Sequence, residues 1–240
     1  MRVIEPSFEI IGNPSYVTML DIIEGAYRIC YASEPKGDPE NFIRSKMGIK
    51  HYSPLEHCSI TVDFVYDRGV SHEKVRHRLA AFSQQSTRYC NYGKDKFGRE
   101  ITVIKPSFFD SHDMPSKETH FPFPVMHTHE EWVLHDDVNL MHVNKFDVWY
   151  MACLYSEWFY MLLLDMGATP QEARSVLPNS LATKIRVTAN LREWRHILEL
   201  RALGTTGKPH PQMIQVMMPL LNKFVKLYPV FFEDLSPKGD

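Results

Sequence analysis

Residues 58–67 read Cys58-Ser59-Ile60-Thr61-Val62-Asp63-Phe64-Val65-Tyr66-Asp67, and 68–83 continue Arg68-Gly69-Val70-Ser71-His72-Glu73-Lys74-Val75-Arg76-His77-Arg78-Leu79-Ala80-Ala81-Phe82-Ser83. Over 58–64 apolar and polar side chains alternate, which sets one face of an extended segment on a core and the other outward. Arg68-Gly69 then turns the chain, Ser71 is placed to cap, and Val75, Leu79 and Phe82 recur three or four residues apart, the single apolar stripe of a helix over 72–83. A half-buried strand followed at once by an amphipathic helix selects a mixed architecture.

The flanking sequence extends that pattern. Upstream, Asn13-Pro14 supplies a cap and a proline at the first helical position for a helix over about 14–29, with Val17, Leu20, Ile22, Ile23 and Tyr27 at helical spacing. Asp38-Pro39-Glu40 opens a second, short helix that Gly48 stops. Downstream, 93–145 is rich in Gly, Pro, Asp and His, with one strand expected at 101–105; so long an irregular excursion in a compact enzyme carries function or borders a site. An aromatic-rich helix follows over 146–166, ended by Gly167, and Thr169-Pro170-Gln171-Glu172 forms a capping box for a short helix through Val176. Residues 183–188 alternate as a strand, Asn190 caps a helix over 191–202, and a last helix over 211–227 contains Pro219, which is expected to kink it. The expected fold class is α/β of the α+β type: one domain over 1–240, with a mixed or antiparallel sheet packed by helices.

Composition narrows the function. The 240 residues are 44% hydrophobic and 23% charged, the make-up of an ordinary globular chain. With 27 Lys and Arg against 29 Asp and Glu, the net charge of -2 lacks the broad positive field of a nucleic-acid binder, while a small anionic ligand stays compatible. The longest apolar run, 158–164, is far short of the ~20 residues that span a bilayer, and Glu5 and Glu9 interrupt any secretory leader, so a cytoplasmic protein with no membrane partner is expected. The four cysteines, at 30, 58, 90 and 153, show no C-x-x-C pair and are expected as reduced thiols.

Three clusters could carry chemistry. In Arg76-His77-Arg78 successive helical residues diverge by about 100°, so the three address different groups; with Ser86 and Arg88 beyond them they suit two anionic ligands, since forked guanidinium donors bind phosphate bidentately. His51-Tyr52-Ser53-Pro54-Leu55-Glu56-His57 brings two histidines, a hydroxyl and a carboxylate to a strand entrance, where they could hold a cofactor. A third runs from Arg174 to Asn190, Arg192 and Arg201; Arg201 lies near the apolar face of its helix, where an unpaired charge is costly. Six of the twelve histidines, at 112, 120, 127, 129, 135 and 142, fall in the excursion, but without H-E-x-x-H or a nearby cysteine no metal site is expected. No G-x-G-x-x-G, P-loop or G-x-S-x-G occurs, so a dinucleotide is not held in the Rossmann manner.

Taken together these segments resemble the flavin-dependent thymidylate synthases, the ThyX family. Its R-H-R-x7-S signature is matched by Arg76-His77-Arg78 through Ser86, its H-E-T-P-F-E-H by 51–57, and its R-V-S by Arg28-Ile29-Cys30, followed by Arg174-Ser175-Val176-Leu177-Pro178 and by Asn190-Leu191-Arg192 with Leu200-Arg201. The resemblance implies a homotetramer with sites shared between subunits, holding FAD and dUMP, with methylenetetrahydrofolate as carbon donor and NADPH as reductant, and dTMP as product. It implies flavin contacts at Cys30, His51, Ser53, Glu56, Arg76, His77, Arg78, Leu79, Asn190, Arg192 and His196, and nucleotide contacts at Glu73, Gln84, Gln85, Ser86, Thr87, Arg88, Arg174 and Arg201. Of these, Arg201, Ser86, Arg88 and His51 are the expected catalytic group. Glu73 stands where relatives often have Gln, Cys30 where Ser is common, His196 where Asn is common, and Gln84 where some have Glu. No Pro-Cys exists, so the cysteine nucleophile of the other thymidylate synthases has no counterpart. Two alternatives share these anion contacts: a flavin enzyme that hydroxymethylates dUMP or acts on dCMP, and a non-catalytic nucleotide-binding protein.

Overall fold

A computed structural model describes residues 1–12, 15–109 and 144–236. In chain order its elements are strands β1 (Arg2–Ile4) and β2 (Ser7–Ile11), helices α1 (Tyr16–Tyr31) and α2 (Pro39–Gly48), strand β3 (Ser59–Asp67), helix α3 (Arg68–Lys74), strands β4 (Ala80–Gln84) and β5 (Thr102–Ile104), helices α4 (Lys145–Asp165) and α5 (Pro170–Ala173), strand β6 (Ala182–Asn190), and helices α6 (Leu191–Leu198), α7 (Pro211–Leu227) and α8 (Pro229–Phe232). The mixed α/β class read from the sequence is the one observed. The chain divides into two compact units, Met1–Val3 with Ser86–Leu181, and Ile4–Gln85 with Ala182–Asp240.

In the second unit an antiparallel sheet of order β2-β3-β6-β4 forms the frame. The alternation that selects β3 acts as expected: Ile60, Val62, Phe64 and Tyr66 face the core, paired in register with Ala189, Val187, Ile185 and Thr183 of β6. Trp194 of α6 is fully buried, its ring 6.4 Å from Phe64 and 5.5 Å from Phe224 of α7, and its indole N–H donates to the Ile60 carbonyl at 2.9 Å. Tyr27 and Ile23 of α1 and Phe231 and Phe232 of α8 complete this core. Pro39 sits at the start of α2, where Asp38 accepts from the Asn41 N–H at 3.1 Å.

The helix expected over 72–83 does not form. Asp67, not Ser71, is the cap: its Oδ1 accepts from the Val70 N–H at 2.6 Å, so α3 starts at Arg68 and ends at Lys74, while Ser71 Oγ donates back to the Arg68 carbonyl. The chain turns through 75–79 and enters β4, which pairs with β6 through Phe82↔Val187. The backbone partners offered by the open edge of β6 outweigh a local stripe whose Val75 and Leu79 are 39% and 76% exposed. Arg76-His77-Arg78 therefore lies on turns, and the helical divergence argued for it does not hold.

Asn13 and Pro14 lie outside the described residues; Ser15 caps α1, accepting from the Thr18 N–H at 3.4 Å. The helix expected over 191–202 is α6 followed by a π-helical segment, Glu199–Leu203, that contains Arg201. Helix α7 runs on through Pro219.

In the first unit β1 pairs with β5, and Ile101, Val103, Tyr92, Cys153, Tyr160, Ala173 and Leu181 make a separate small core. Helix α4 begins at a capping box of Asn144 with Asp147, and Gly167, at φ 93°, turns the chain beyond it. The expected box of Thr169 with Glu172 is also formed. The strand expected at 101–105 shortens to β5, and the six histidines of the excursion lie outside the described residues. Among the described residues no helix is long and apolar enough to cross a membrane, and all four cysteines are free.

Candidate active site

Most of the expected site residues fall in the second unit, on helices, turns and the ends of β4 and β6. His51 follows α2 and lies against α1: the Tyr27 hydroxyl donates to its carbonyl at 2.6 Å, and the Tyr31 hydroxyl is 3.2 Å from Nδ1. Cys30 is exposed in the last turn of α1, and Ser53 is exposed at the start of a 3-10 turn, Ser53–His57. Glu56 of that turn accepts from Arg192 Nη1 at 2.6 Å, on the surface. Asn190 ends β6 and caps α6, taking the Glu193 N–H at 2.8 Å, and so sets the helix that carries Arg192 and His196.

The tightest polar cluster surrounds His77. Its side chain is buried, Nε2 accepts from Arg201 Nε at 3.2 Å, and the ring lies 5.7 Å from that of His196. An acceptor at Nε2 places the proton on Nδ1, which faces Glu193 Oε1 at 3.5 Å. Burial, with the nearby Lys74, Arg201 and His196, pushes the imidazole down to about 4, so it is neutral at pH 7. Arg201 also donates from Nη1 to Glu73 Oε2 at 3.0 Å and from Nη2 to the Glu73 carbonyl at 3.2 Å.

Beneath this cluster lies Lys74, fully buried, its Nζ donating to Met217 Sδ at 3.1 Å and sitting 4.8 Å from the Phe64 ring centroid. Burial drives the amine well below its ordinary value, Arg201 pushes the same way, and Glu193 opposes both. Burial raises Glu193 in turn. Neither Lys74 nor Glu193 was legible as part of a site, because Glu73-Lys74 at a helix end reads as a solvated charge pair and Glu193 as a capping residue.

Arg76 and Arg78, on either side of His77, are exposed, as are Leu79 and His196. Both guanidinium groups lack a carboxylate partner among the described residues, which fits an anionic group such as the diphosphate of a dinucleotide, with Leu79 offering apolar surface to a ring. Gln84 donates both amide hydrogens within the fold, to Ser71 Oγ at 2.9 Å and Thr183 Oγ1 at 3.2 Å, and the Gln85 amide oxygen accepts from the Lys184 N–H at 3.4 Å.

The first unit holds the remaining residues. Ser86 Oγ accepts from the Arg88 N–H at 3.3 Å, Arg88 Nε donates to Gln171 Oε1 at 2.7 Å, and Arg174 Nη1 reaches buried Thr87 Oγ1 at 3.5 Å. Gln171 was visible in the sequence only as part of a capping box. Arg88 and Arg174 also lack carboxylate partners among the described residues, which leaves two forked donors and a hydroxyl suited to a phosphate. No group of three or more metal-ligating side chains occurs among the described residues.

The family model described as thymidylate synthase complementing protein matches residues 15–230. The flavin-dependent thymidylate synthase of Geobacter sulfurreducens is 29% identical over 222 residues, covering 88% of this chain and 80% of that protein. The enzyme of the same name from Corynebacterium glutamicum is 29% identical over 233 residues, covering 90% and 79%. Among solved structures, the UMP/dUMP methylase PolB of Streptomyces cacaoi, bound with 5-Br dUMP, superposes with a TM-score of 0.71 at 23% identity, covering 98% of this chain and 97% of that one, and so shares the fold.

Proposed function

The chain belongs to the thymidylate synthase complementing protein family, and from that premise we propose that it is a flavin-dependent thymidylate synthase, methylating dUMP to dTMP with methylenetetrahydrofolate as carbon donor and NADPH, by way of FAD, as reductant. The observation that carries this reading is the set of four exposed arginines, Arg76, Arg78, Arg88 and Arg174, that lie in the family's motifs and have no carboxylate partner among the described residues. Charge left unbalanced in two places fits a ligand pair in which each member carries phosphate.

Arg76 and Arg78 bind the diphosphate of FAD, with Ser53, Asn190, Arg192 and His196 around the cofactor. Arg88, Arg174 and Ser86 bind the phosphate of dUMP. When bound, FAD supplies the hydride and the folate supplies the carbon. Arg201 lies at the uracil edge, where its guanidinium stabilises the negative charge that develops as C5 becomes a nucleophile. Neutral His77 holds Arg201 without competing for that charge. Burial raises Cys58 and pushes Cys153 up to about 11, which suits these two thiols to packing rather than attack. The chain acts as one catalytic domain, in a cytoplasmic homotetramer whose sites are shared between subunits.

A fluorescence titration with FAD tests the cofactor assignment. Wild-type protein is expected to purify yellow or to bind added FAD, and Arg78→Ala to weaken that binding about tenfold to a hundredfold, the loss of one charge-assisted contact. A wild type with neither a flavin spectrum nor a saturable titration overturns the reading.

A further inference from the structure

His51 is pinned at its main chain and steered at its ring by residues outside the motifs. Its N–H donates to the Lys46 carbonyl at 3.1 Å, and its own carbonyl accepts from the hydroxyl of buried Tyr27 at 2.6 Å. With the backbone fixed at both ends, what remains free is rotation of the imidazole, a broad and roughly two-fold torsion. Two aromatic rings limit it: Tyr27 and Tyr31 each meet the imidazole edge-on at 78°, with centroids 5.3 and 5.9 Å away. The Tyr31 hydroxyl lies 3.2 Å from Nδ1, while among the described residues no group bonds Nε2. A phenol is the better donor of this pair and an unprotonated imidazole nitrogen the better acceptor. Lys46 Nζ, 4.0 Å from the Tyr31 ring centroid, polarises the phenol and strengthens it as a donor.

We propose that Tyr31 is a positioning residue for His51: its hydroxyl donates to Nδ1, so the neutral imidazole carries its proton on Nε2 and presents that N–H to the flavin. This rests on the flavin site given above, since the segment that opens with His51 carries Ser53 and, through Glu56, touches Arg192, both placed around the cofactor. It goes beyond that reading in naming the tautomer of His51 and the residue that sets it. A flavin ring offers carbonyl oxygens and ring nitrogens that take a donor, whereas an imidazole with its proton on Nδ1 turns a lone pair toward them. Tyr31 acts without touching the cofactor, by deciding which nitrogen of His51 holds the proton.

Solid-state nitrogen-15 NMR of histidine-labelled protein, with and without FAD, reads the tautomer at about pH 8.5, where histidine is ordinarily neutral. Wild type is expected to show His51, identified by the signals lost in His51→Gln, with its proton on Nε2 and a hydrogen-bonded Nδ1. Tyr31→Phe removes only the hydroxyl and is expected to move both signals toward those of a free imidazole. Fluorescence titration with FAD gives the second readout. Tyr31→Phe is expected to weaken FAD about three- to tenfold, the size of one side-chain hydrogen bond at a half-exposed site. His51→Gln keeps an amide N–H at the position of Nε2 and has no tautomer to set, so adding Tyr31→Phe to it is expected to change FAD affinity by less than about twofold. A tyrosine that serves only the fold moves neither the tautomer nor this coupling. An Nδ1-protonated His51 in wild type, signals unaltered in Tyr31→Phe, unchanged FAD affinity in that variant, or the same loss in both backgrounds overturns the proposal. Failure of wild type itself to bind FAD contradicts the flavin reading beneath it, which separates the two failures.

Discussion

Replacing Arg201 by alanine is expected to slow dUMP-dependent oxidation of the reduced flavin by about 10²–10³-fold, the usual cost of removing one preorganised donor from a site where charge develops. The fold should survive, because Glu73, the carboxylate left behind, is partly exposed and can be solvated. FAD binding should persist as well, since the cations assigned to the diphosphate are Arg76 and Arg78. Stopped-flow measurement of flavin oxidation at saturating dUMP checks this, and a rate within a few-fold of wild type would remove Arg201 from the chemistry.

The second large effect concerns acid. His77 has its folded value pushed from 6.5 to about 4, so the folded state binds fewer protons than the unfolded chain between those limits. Its contribution is therefore fully present above pH 6.5 and is lost as pH falls toward 4, up to about 3 kcal/mol in all. Lys74 acts in the same direction over a higher range, because its folded value is also depressed. Asp63, bridged by Arg186 and Lys184, is lowered from 3.8 to about 2, and its contribution fades only below pH 4. Glu193 and Asp67 are raised by burial and act oppositely, losing stability as pH rises through their own range. His77→Gln separates these contributions: chemical denaturation at pH 6.5 and pH 4.5 should show a clearly smaller loss of stability in the variant than in wild type. Equal losses in both would mean that His77 is not held neutral.

Much of the frame was legible because local chemistry and tertiary structure agree. Asp38, Asn190 and the Thr169-to-Glu172 box cap the helices their spacing implies, and the alternation at 58–64 is the centre of the sheet. The segment 72–83 fails for an identifiable reason. Its stripe of Val75, Leu79 and Phe82 satisfies a helical period, but the unpaired edge of β6 is a partner 100 residues away that no local pattern reports. The candidate site divides the same way. Arginines in motifs are visible as types and spacings, and the resemblance assigns them; the neutral state of His77, the burial of Lys74 and the grip of Glu73 on Arg201 arise only when α3, α6 and the π-helical turn after α6 pack together. Charge adjacent in sequence reads as a wet surface until packing removes the water.

The product of a single incubation identifies the reaction. Purified protein supplied with FAD, NADPH, methylenetetrahydrofolate and dUMP should convert the nucleotide to dTMP, seen by mass spectrometry as the gain of one CH2 group. A product carrying a hydroxymethyl group, or unchanged dUMP in protein shown to bind both FAD and dUMP, would show that the protein is not a thymidylate synthase.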